Sequence, residues 1–153
     1  MKELLRLEPV MKECVWGGKR LVTEFPYHAE GEHIGECWAV SAHPHGDCVV
    51  REGRYAGWKL SELYASHREL FGGITAEKFP LLIKIIDAKE NLSIQVHPDD
   101  AYVKEHETCP FGKTECWYVM DCPENASLVI GHQAKTREEL RQMIAEGRFG
   151  RFL

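Results

Sequence analysis

The sequence has no long apolar run and no cluster of basic residues. Its most apolar stretch, residues 79–86, contains Lys84 and is far too short to cross a bilayer. Lysine and arginine number 19 against 24 acidic residues, which gives a formal net charge of -5. Because binding to a nucleic-acid backbone needs a basic face, this balance argues against such a partner. The charged first residues also lack the apolar core of a signal peptide, so we expect a cytoplasmic protein with no membrane partner.

Closely paired cysteines are absent as well. None of the 6 cysteines belongs to a Cys-x-x-Cys pair, which argues against a zinc site built from thiolates. We expect reduced thiols in a chain of this kind, with Cys37 and Cys116 as small buried residues beside tryptophans.

No repeat, low-complexity tract or linker divides the 153 residues, so the sequence predicts one domain over residues 1–153. Strand-like segments, mostly bounded by Gly, Pro, Asn or Asp, occupy residues 34–41, 48–51, 81–87, 92–97, 115–121 and 127–130. Helical patterns occupy residues 60–70, 99–107 and 136–147. Many short strands with inserted helices, without regular βαβ alternation, predict a mainly β fold with an antiparallel double sheet.

Two segments of the sequence carry polar side chains at every second position. Ser93, Gln95 and His97 would share one face of the first strand. Lys113 and Glu115 are also two apart and lead into a β-favouring segment. If the two strands are neighbours, an amide, an imidazole, an ammonium and a carboxylate meet at one pocket. An imidazole and a carboxylate, assisted by an amide oxygen, suit a zinc-type divalent ion.

These segments resemble the active-site core of the type I mannose-6-phosphate isomerases (phosphomannose isomerases), zinc enzymes of the cupin superfamily. The resemblance rests on Ser-Ile-Gln-Val-His-Pro-Asp-Asp at residues 93–100 and Gly-Lys-Thr-Glu-Cys-Trp-Tyr at residues 112–118. It continues, in order, through the motifs at residues 8–10, 16–18, 35–38 and 41–44, and is similar to the short bacterial members. It implies a cupin-type jelly-roll β-sandwich with inserted helices.

The resemblance also implies roles for particular residues. The implied ligands of one Zn²⁺ are Gln95, His97 and Glu115. Lys113 and Glu36 are the implied catalytic residues, and the implied contacts to a small sugar phosphate are Trp16, Lys84 and Ser93.

Structural alternatives stay open for several of these residues. Gln95 is a weak zinc ligand whose alternative role is to orient His97 by a hydrogen bond. Lys84 lies within an apolar strand and could belong to a structural ion pair. Trp16 could be a core aromatic beside a turn, and Glu36 a surface strand residue. His43 and His45 flank a proline and are interpreted as loop residues.

The implied reaction is a zinc-dependent interconversion of mannose 6-phosphate and fructose 6-phosphate. It moves a proton between C2 and C1 through an enediol(ate), which requires a base and stabilisation of developing negative charge. The resemblance places a further metal-binding histidine and an arginine downstream of residue 153, so we expect an N-terminal portion, truncated at its C-terminus, of a longer enzyme. Two alternatives are a metal-dependent cupin oxygenase and a non-catalytic carbohydrate-binding cupin. The oligomeric state is open.

Overall fold

The computed structural model describes residues 4–25, 27–107 and 111–148. In chain order its strands and helices are β1 (Leu7–Glu8), β2 (Val10–Gly18), α1 (Arg20–Thr23), β3 (Ile34–His43), β4 (Gly46–Asp47), β5 (Val49–Val50), α2 (Leu60–Ser66), a 3-10 helix (Arg68–Phe71), β6 (Leu82–Ile86), α3 (Asp100–His106) and α4 (Arg137–Ala145). The chain divides into two compact units, Met1–Leu92 and Ser93–Leu153. The expectation of a single catalytic domain stays a prediction.

Strand β3 is the centre of the main sheet in the first unit. It pairs antiparallel with β2 on one side and with β6 on the other, and its end turns back into β4. The strands predicted at residues 34–41 and 81–87 are therefore confirmed, with β3 extending to His43. A second, smaller sheet pairs β1 with β5.

The main sheet has one buried and one charged face. Met11, Cys37 and Ile85 are register partners across the three strands, and they pack in the cluster around Leu21 and Ile34. Side chains alternate between the two faces of a strand, so the neighbouring positions must point the other way. On that opposite face Lys12 is paired with Glu36, and Trp38 with Lys84. The alternation therefore separates the hydrophobic core from the candidate functional groups.

A second core lies under helix α2. Val50, Tyr55 and Leu63 are buried together, with Leu5, Leu7 and Phe71 packed around them. The helix predicted over residues 60–70 is divided in the structure, because α2 ends at Ser66 and a 3-10 helix follows over Arg68–Phe71.

The helices of the second unit begin where side-chain caps predict. Asp99 accepts a hydrogen bond from the Tyr102 amide at the start of α3, and Thr136 does the same for the Glu139 amide at the start of α4. Such caps satisfy amide groups that have no partner within the helix. Both predicted helices are confirmed. In the part of the chain that the structure describes, no helix is long and apolar enough to cross a membrane.

The three strands predicted at residues 92–97, 115–121 and 127–130 are wrong as assignments, because the structure gives these segments no strand. A strand needs a hydrogen-bonded neighbour, and the strand pairings among the described residues all lie in the first unit. The alternating apolar side chains are consequently exposed, with Val96 at 92% and Tyr118 at 89% of their full accessibility.

The cysteine predictions are confirmed in part. Cys37 is completely buried, as expected, and the cysteines that the structure describes are free thiols. Cys116 is exposed, which contradicts its expected burial, since the segment that carries it has no strand neighbour to cover it. Cys109 lies outside the described residues.

Replacement of Leu63 by alanine should destabilise the first unit. Leu63 is 0% exposed within the second core, so truncation loses transfer free energy and leaves a cavity. We expect the free energy of unfolding, measured by urea titration, to fall by about 2–5 kcal/mol. Leu4→Ala is the matched control, because Leu4 is 93% exposed, and it should change stability by less than about 0.5 kcal/mol. Equal effects of the two changes would contradict the assignment of this core.

Candidate functional site

Three predicted site residues of the second unit lie in mutual contact. The His97 Nε2 atom is 3.4 Å from a Glu115 carboxylate oxygen. Lys113 Nζ lies 2.9 Å from His97 Nε2 and 3.2 Å from the other Glu115 oxygen. Imidazole, ammonium and carboxylate thus form one cluster although their positions in the sequence span two motifs.

Local backbone contacts explain why the two motifs meet. Pro98 follows the His97 segment, and its carbonyl accepts a hydrogen bond from the Lys113 amide at 3.0 Å. The Gly112 amide donates to the Asp100 carboxylate at 2.7 Å. A Cβ atom on Gly112 would lie 2.5 Å from the carbonyl carbon of Asp99, so only glycine permits this approach. The residues at the start of α3 therefore also place Lys113 beside His97.

The electrostatics of the cluster favour the charged form of Glu115. Partial burial by itself would raise the pKa of this carboxyl group, but hydrogen bonds from Lys113 and Trp117 have the opposite effect. The nearby charges of Lys113 and His97 add to it, and the net result is a pKa of Glu115 below its usual range. The Lys113 ammonium can donate to His97 Nε2 in the neutral tautomer that carries its proton on Nδ1.

The donor types and spacing of this pair fit a zinc ion. Two ligands of a tetrahedral zinc, each about 2.0–2.2 Å from the metal, are about 3.3 Å apart, and His97 Nε2 and Glu115 are 3.4 Å apart. Within residues 4–25, 27–107 and 111–148, no group of three His, Cys, Asp or Glu side chains is placed to hold a metal. His97 and Glu115 therefore supply two donors for a zinc ion. A third donor must be another kind of group or come from residues outside the described ones.

Gln95 and Ser93 contact each other. The Gln95 amide nitrogen donates to the Ser93 hydroxyl oxygen at 2.7 Å, so the two side chains lie on the same side of the segment, as period-two placement predicts. Both residues are exposed. In this orientation the amide oxygen of Gln95, the atom that could bind a metal, is not used in the bond to Ser93. Direct ligation by Gln95 stays a prediction.

The remaining predicted residues belong to the first unit. Lys84 Nζ binds the Glu36 carboxylate at 3.1 Å and 3.2 Å. These side chains are only 24% and 16% exposed. Their contact is the structural ion pair that was one alternative for Lys84. Trp16 is half-buried, and its ring lies against Gly35 beside Glu36 in β3. The Trp16 ring thus packs within the fold, as its alternative role of a core aromatic beside a turn predicts. A contact of Trp16 with substrate stays a prediction.

Sequence inspection missed two side chains on this charged face. The indole Nε1 of Trp38 donates to Glu36 at 2.5 Å, and Lys12 Nζ lies over the Trp38 ring, 4.7 Å from its centroid. A signal for Trp38 was present, because Glu36 and Trp38 are two apart in a predicted strand and must share a face. No comparable signal existed for Lys12, since its position depends on the pairing of β2 with β3.

His45 lies in the turn between β3 and β4, as its interpretation as a loop residue predicts, whereas the same interpretation is wrong for His43, which is the last residue of β3 and pairs with Gly46 of β4. The His45 amide donates to His43 Nδ1 at 3.2 Å, and the two rings are 5.0 Å apart. Burial lowers the pKa of His43 below its usual value, and His45, Lys12 and Lys84 lower it further by charge repulsion.

Comparison with solved structures defines the class of protein as a cupin. The chain matches the crystal structure of the mannose 6-phosphate isomerase from Bacillus subtilis with a TM-score of 0.93 and 50% sequence identity. The match covers 97% of this chain and 48% of that one. The mainly β, cupin-type architecture expected from the sequence is thus confirmed.

Sequence comparison identifies the family. The description "Phosphomannose isomerase type I, catalytic domain" matches residues 4–121, and the chain belongs to this family. It is 56% identical over 147 residues to the mannose-6-phosphate isomerase of Streptococcus mutans serotype c, covering 96% of this chain and 46% of that protein. It is 48% identical over 151 residues to mannose-6-phosphate isomerase ManA of Bacillus subtilis, covering 99% and 48%. The chain spans about half the length of these curated relatives.

Replacement of Lys12 by methionine should raise the pKa of His43. The change removes one positive charge but leaves the burial that is the largest cause of the lowered pKa, so the pKa should rise and stay below the usual value of about 6.5. Neutral His43 contributes to the stability of the fold at a pH above about 6.5. This contribution is lost as the pH falls through the lowered pKa that His43 has in the folded protein. The measurement is an NMR titration of the His43 ring.

The matched control for this titration is Lys19→Met. Lys19 is an exposed lysine of the same unit that pairs with Glu32 and is not among the causes of the His43 shift. Its replacement should leave the His43 titration unchanged. A His43 pKa that is the same in the Lys12→Met protein and the unmodified protein would show that Lys12 does not act on this ring.

Proposed function

We propose that this chain contributes the metal-binding and part of the substrate-binding machinery of an enzyme that interconverts mannose 6-phosphate and fructose 6-phosphate. The observation that carries the proposal is the contact of His97, Lys113 and Glu115 within 3.4 Å. Membership of the phosphomannose isomerase type I family supports it. The names of the relatives supply the reaction, and the residues of this chain supply groups of suitable chemistry for it.

The residues that would hold the metal are His97 and Glu115, with the amide oxygen of Gln95 as a third donor. Imidazole nitrogen and carboxylate oxygen are ordinary zinc ligands, whereas an amide oxygen is a weaker one. One bound Zn²⁺ would supply a Lewis acid that polarises a substrate oxygen.

Lys113 would stabilise the negative charge that develops on the sugar oxygens. Aldose–ketose isomerisation transfers a proton between C2 and C1, and the intermediate enediolate carries more negative charge than the substrate. A fixed ammonium lowers the energy of that charge when it appears. The Glu115 carboxylate, 3.2 Å from Lys113 Nζ, holds the ammonium in place when His97 Nε2 binds the metal, so little reorganisation is needed during the reaction.

Glu36 would bind a substrate hydroxyl or accept a proton. Its carboxylate is held by Lys84 and by the Trp38 indole, which fixes its orientation. Lys84 is the proposed partner of the phosphate group, and Trp16 would pack against the sugar. The role of Lys84 requires its ammonium to contact the phosphate while it also contacts Glu36. The contact of Ser93 with the phosphate stays a prediction.

Replacement of His97 and of Lys113 should have different consequences in the protein encoded by the complete reading frame. His97→Ala should lose bound zinc and isomerase activity together, because a ligand determines metal occupancy. Lys113→Ala should keep zinc but lose turnover by roughly a hundredfold, because its charge acts mainly on the transition state. Elemental analysis for zinc beside a coupled assay for fructose 6-phosphate measures both effects.

Matched controls are available in the same unit. His132→Ala and Lys104→Ala remove the same side-chain types at exposed positions outside the cluster and should leave zinc content and turnover close to those of the unmodified protein. A Lys113→Ala protein with normal turnover would remove this lysine from the mechanism. Full zinc occupancy in His97→Ala would remove His97 from the ligand set.

Residues 1–153 alone should bind zinc weakly and show no measurable isomerase activity. Their candidate ligands number three, one of them an amide, and these residues span about half the length of the curated relatives. The test is an assay of this polypeptide with mannose 6-phosphate and added zinc, beside the protein of the complete reading frame as the positive control. Clear turnover by residues 1–153 would show that the expected additional residues are dispensable.

A further inference from the structure

Trp38 makes a shorter hydrogen bond than Lys84 does to Glu36, the candidate catalytic carboxylate. Its indole Nε1 donates to a Glu36 oxygen at 2.5 Å, and Lys84 contacts the same oxygen at 3.1 Å and the other oxygen at 3.2 Å. Trp38 and Glu36 are two positions apart in the central strand β3. The donor and the acceptor therefore sit on one rigid backbone segment, in contrast to Lys84, whose ammonium ends a flexible four-carbon stem.

The Trp38 ring is itself held by its neighbours. The Lys12 and Lys84 ammonium groups lie over the ring, 4.7 Å and 5.2 Å from its centroid. His43 meets the ring edge-on at 5.7 Å. Gly46 packs so closely that a Cβ atom there would be 2.7 Å from the indole Cε3. These contacts restrict rotation of the indole, so its one N–H donor is directed at Glu36.

The same contacts make Trp38 unsuited to bind a sugar ring directly. Stacking on a sugar needs an open aromatic face, whereas the neighbouring strands β2 and β6 each contribute a lysine over this indole. Its chemical contribution is instead an oriented, uncharged hydrogen-bond donor. Such a donor fixes the direction of the carboxylate without adding a charge that would compete with Lys84.

We propose that Trp38 is a positioning residue that acts through Glu36. The indole N–H fixes one carboxylate oxygen, and the ring supports the Lys84 ammonium that binds both oxygens. The inference rests on the proposed function, because it assigns Trp38 to the same reaction. Precise orientation of a group that binds a hydroxyl or accepts a proton affects turnover more than substrate affinity when the substrate is also held elsewhere.

The test compares Trp38→Phe with Trp58→Phe in the protein encoded by the complete reading frame. Trp38→Phe removes the N–H donor but keeps an aromatic ring beside the two lysines. Trp58 is the control, because its ring packs against Tyr55 and His67, away from Glu36. We expect kcat for mannose 6-phosphate to fall about tenfold in Trp38→Phe, which corresponds to the loss of roughly one hydrogen bond to a charged group. KM should change less than about twofold, zinc content should be unchanged, and Trp58→Phe should keep its kcat.

A double-mutant cycle separates a positioning role from general destabilisation. If Trp38 acts through Glu36, adding Trp38→Phe to Glu36→Gln should lower kcat by much less than it does alone. Equal effects in both backgrounds would overturn the inference. The Trp38 indole NMR signal, assigned by its loss in Trp38→Phe, should also move more in Glu36→Gln than the other indole signals. No movement would show that the contact is absent in solution.

These outcomes distinguish the inference from the proposed function. An unmodified protein without isomerase activity would contradict the proposed function, whatever the NMR signal shows. An active unmodified protein whose Trp38→Phe variant keeps a normal kcat would contradict only the role of Trp38.

Discussion

The two-sided character of strand β3 governs the organisation of the first unit. Cys37 faces the hydrophobic core, whereas Glu36 and Trp38 on either side of it face the charged side of the sheet. A shift in pairing by one residue would exchange the two faces and bury a carboxylate without a partner, at a large energetic cost. Burial of the core therefore stabilises the register, and the register determines which lysines meet Glu36 and Trp38.

The two candidate groups share a chemical arrangement. Each contains the tripeptide Glu-Cys-Trp, at residues 36–38 and 115–117. In each, the glutamate binds a lysine and also accepts a hydrogen bond from the tryptophan two positions later. A lysine balances the charge, and a rigid indole directs the carboxylate. The groups differ in their other neighbours. The Glu115 group adds His97, which makes it suited to bind a metal, whereas the Glu36 group adds only side chains that orient and balance the carboxylate.

Positively charged side chains gather around Trp38, although the chain as a whole is acidic. The formal net charge is -5, yet the ammonium groups of Lys12 and Lys84 and the ring of His43 contact one indole beside a single carboxylate, and the His45 ring packs against His43. Their mutual repulsion contributes to the lowered pKa of His43. A surplus of positive charge at one place, in a molecule that is negative as a whole, attracts small anions to that place.

The sequence by itself determined the features that depend on residues only a few positions apart in the chain. Asp99 and Thr136 mark the starts of α3 and α4, because a cap bonds an amide only three positions away. Alternation places Ser93 with Gln95, and the ordered motifs identify the family. Only the tertiary structure decided that Lys84 meets Glu36, 48 positions away, since that contact depends on which strands pair and in what register. The same reason explains the failure at residues 115–121. The alternating pattern describes which faces a strand would have, but the hydrogen bonds that make it a strand come from a neighbour that the pattern cannot identify.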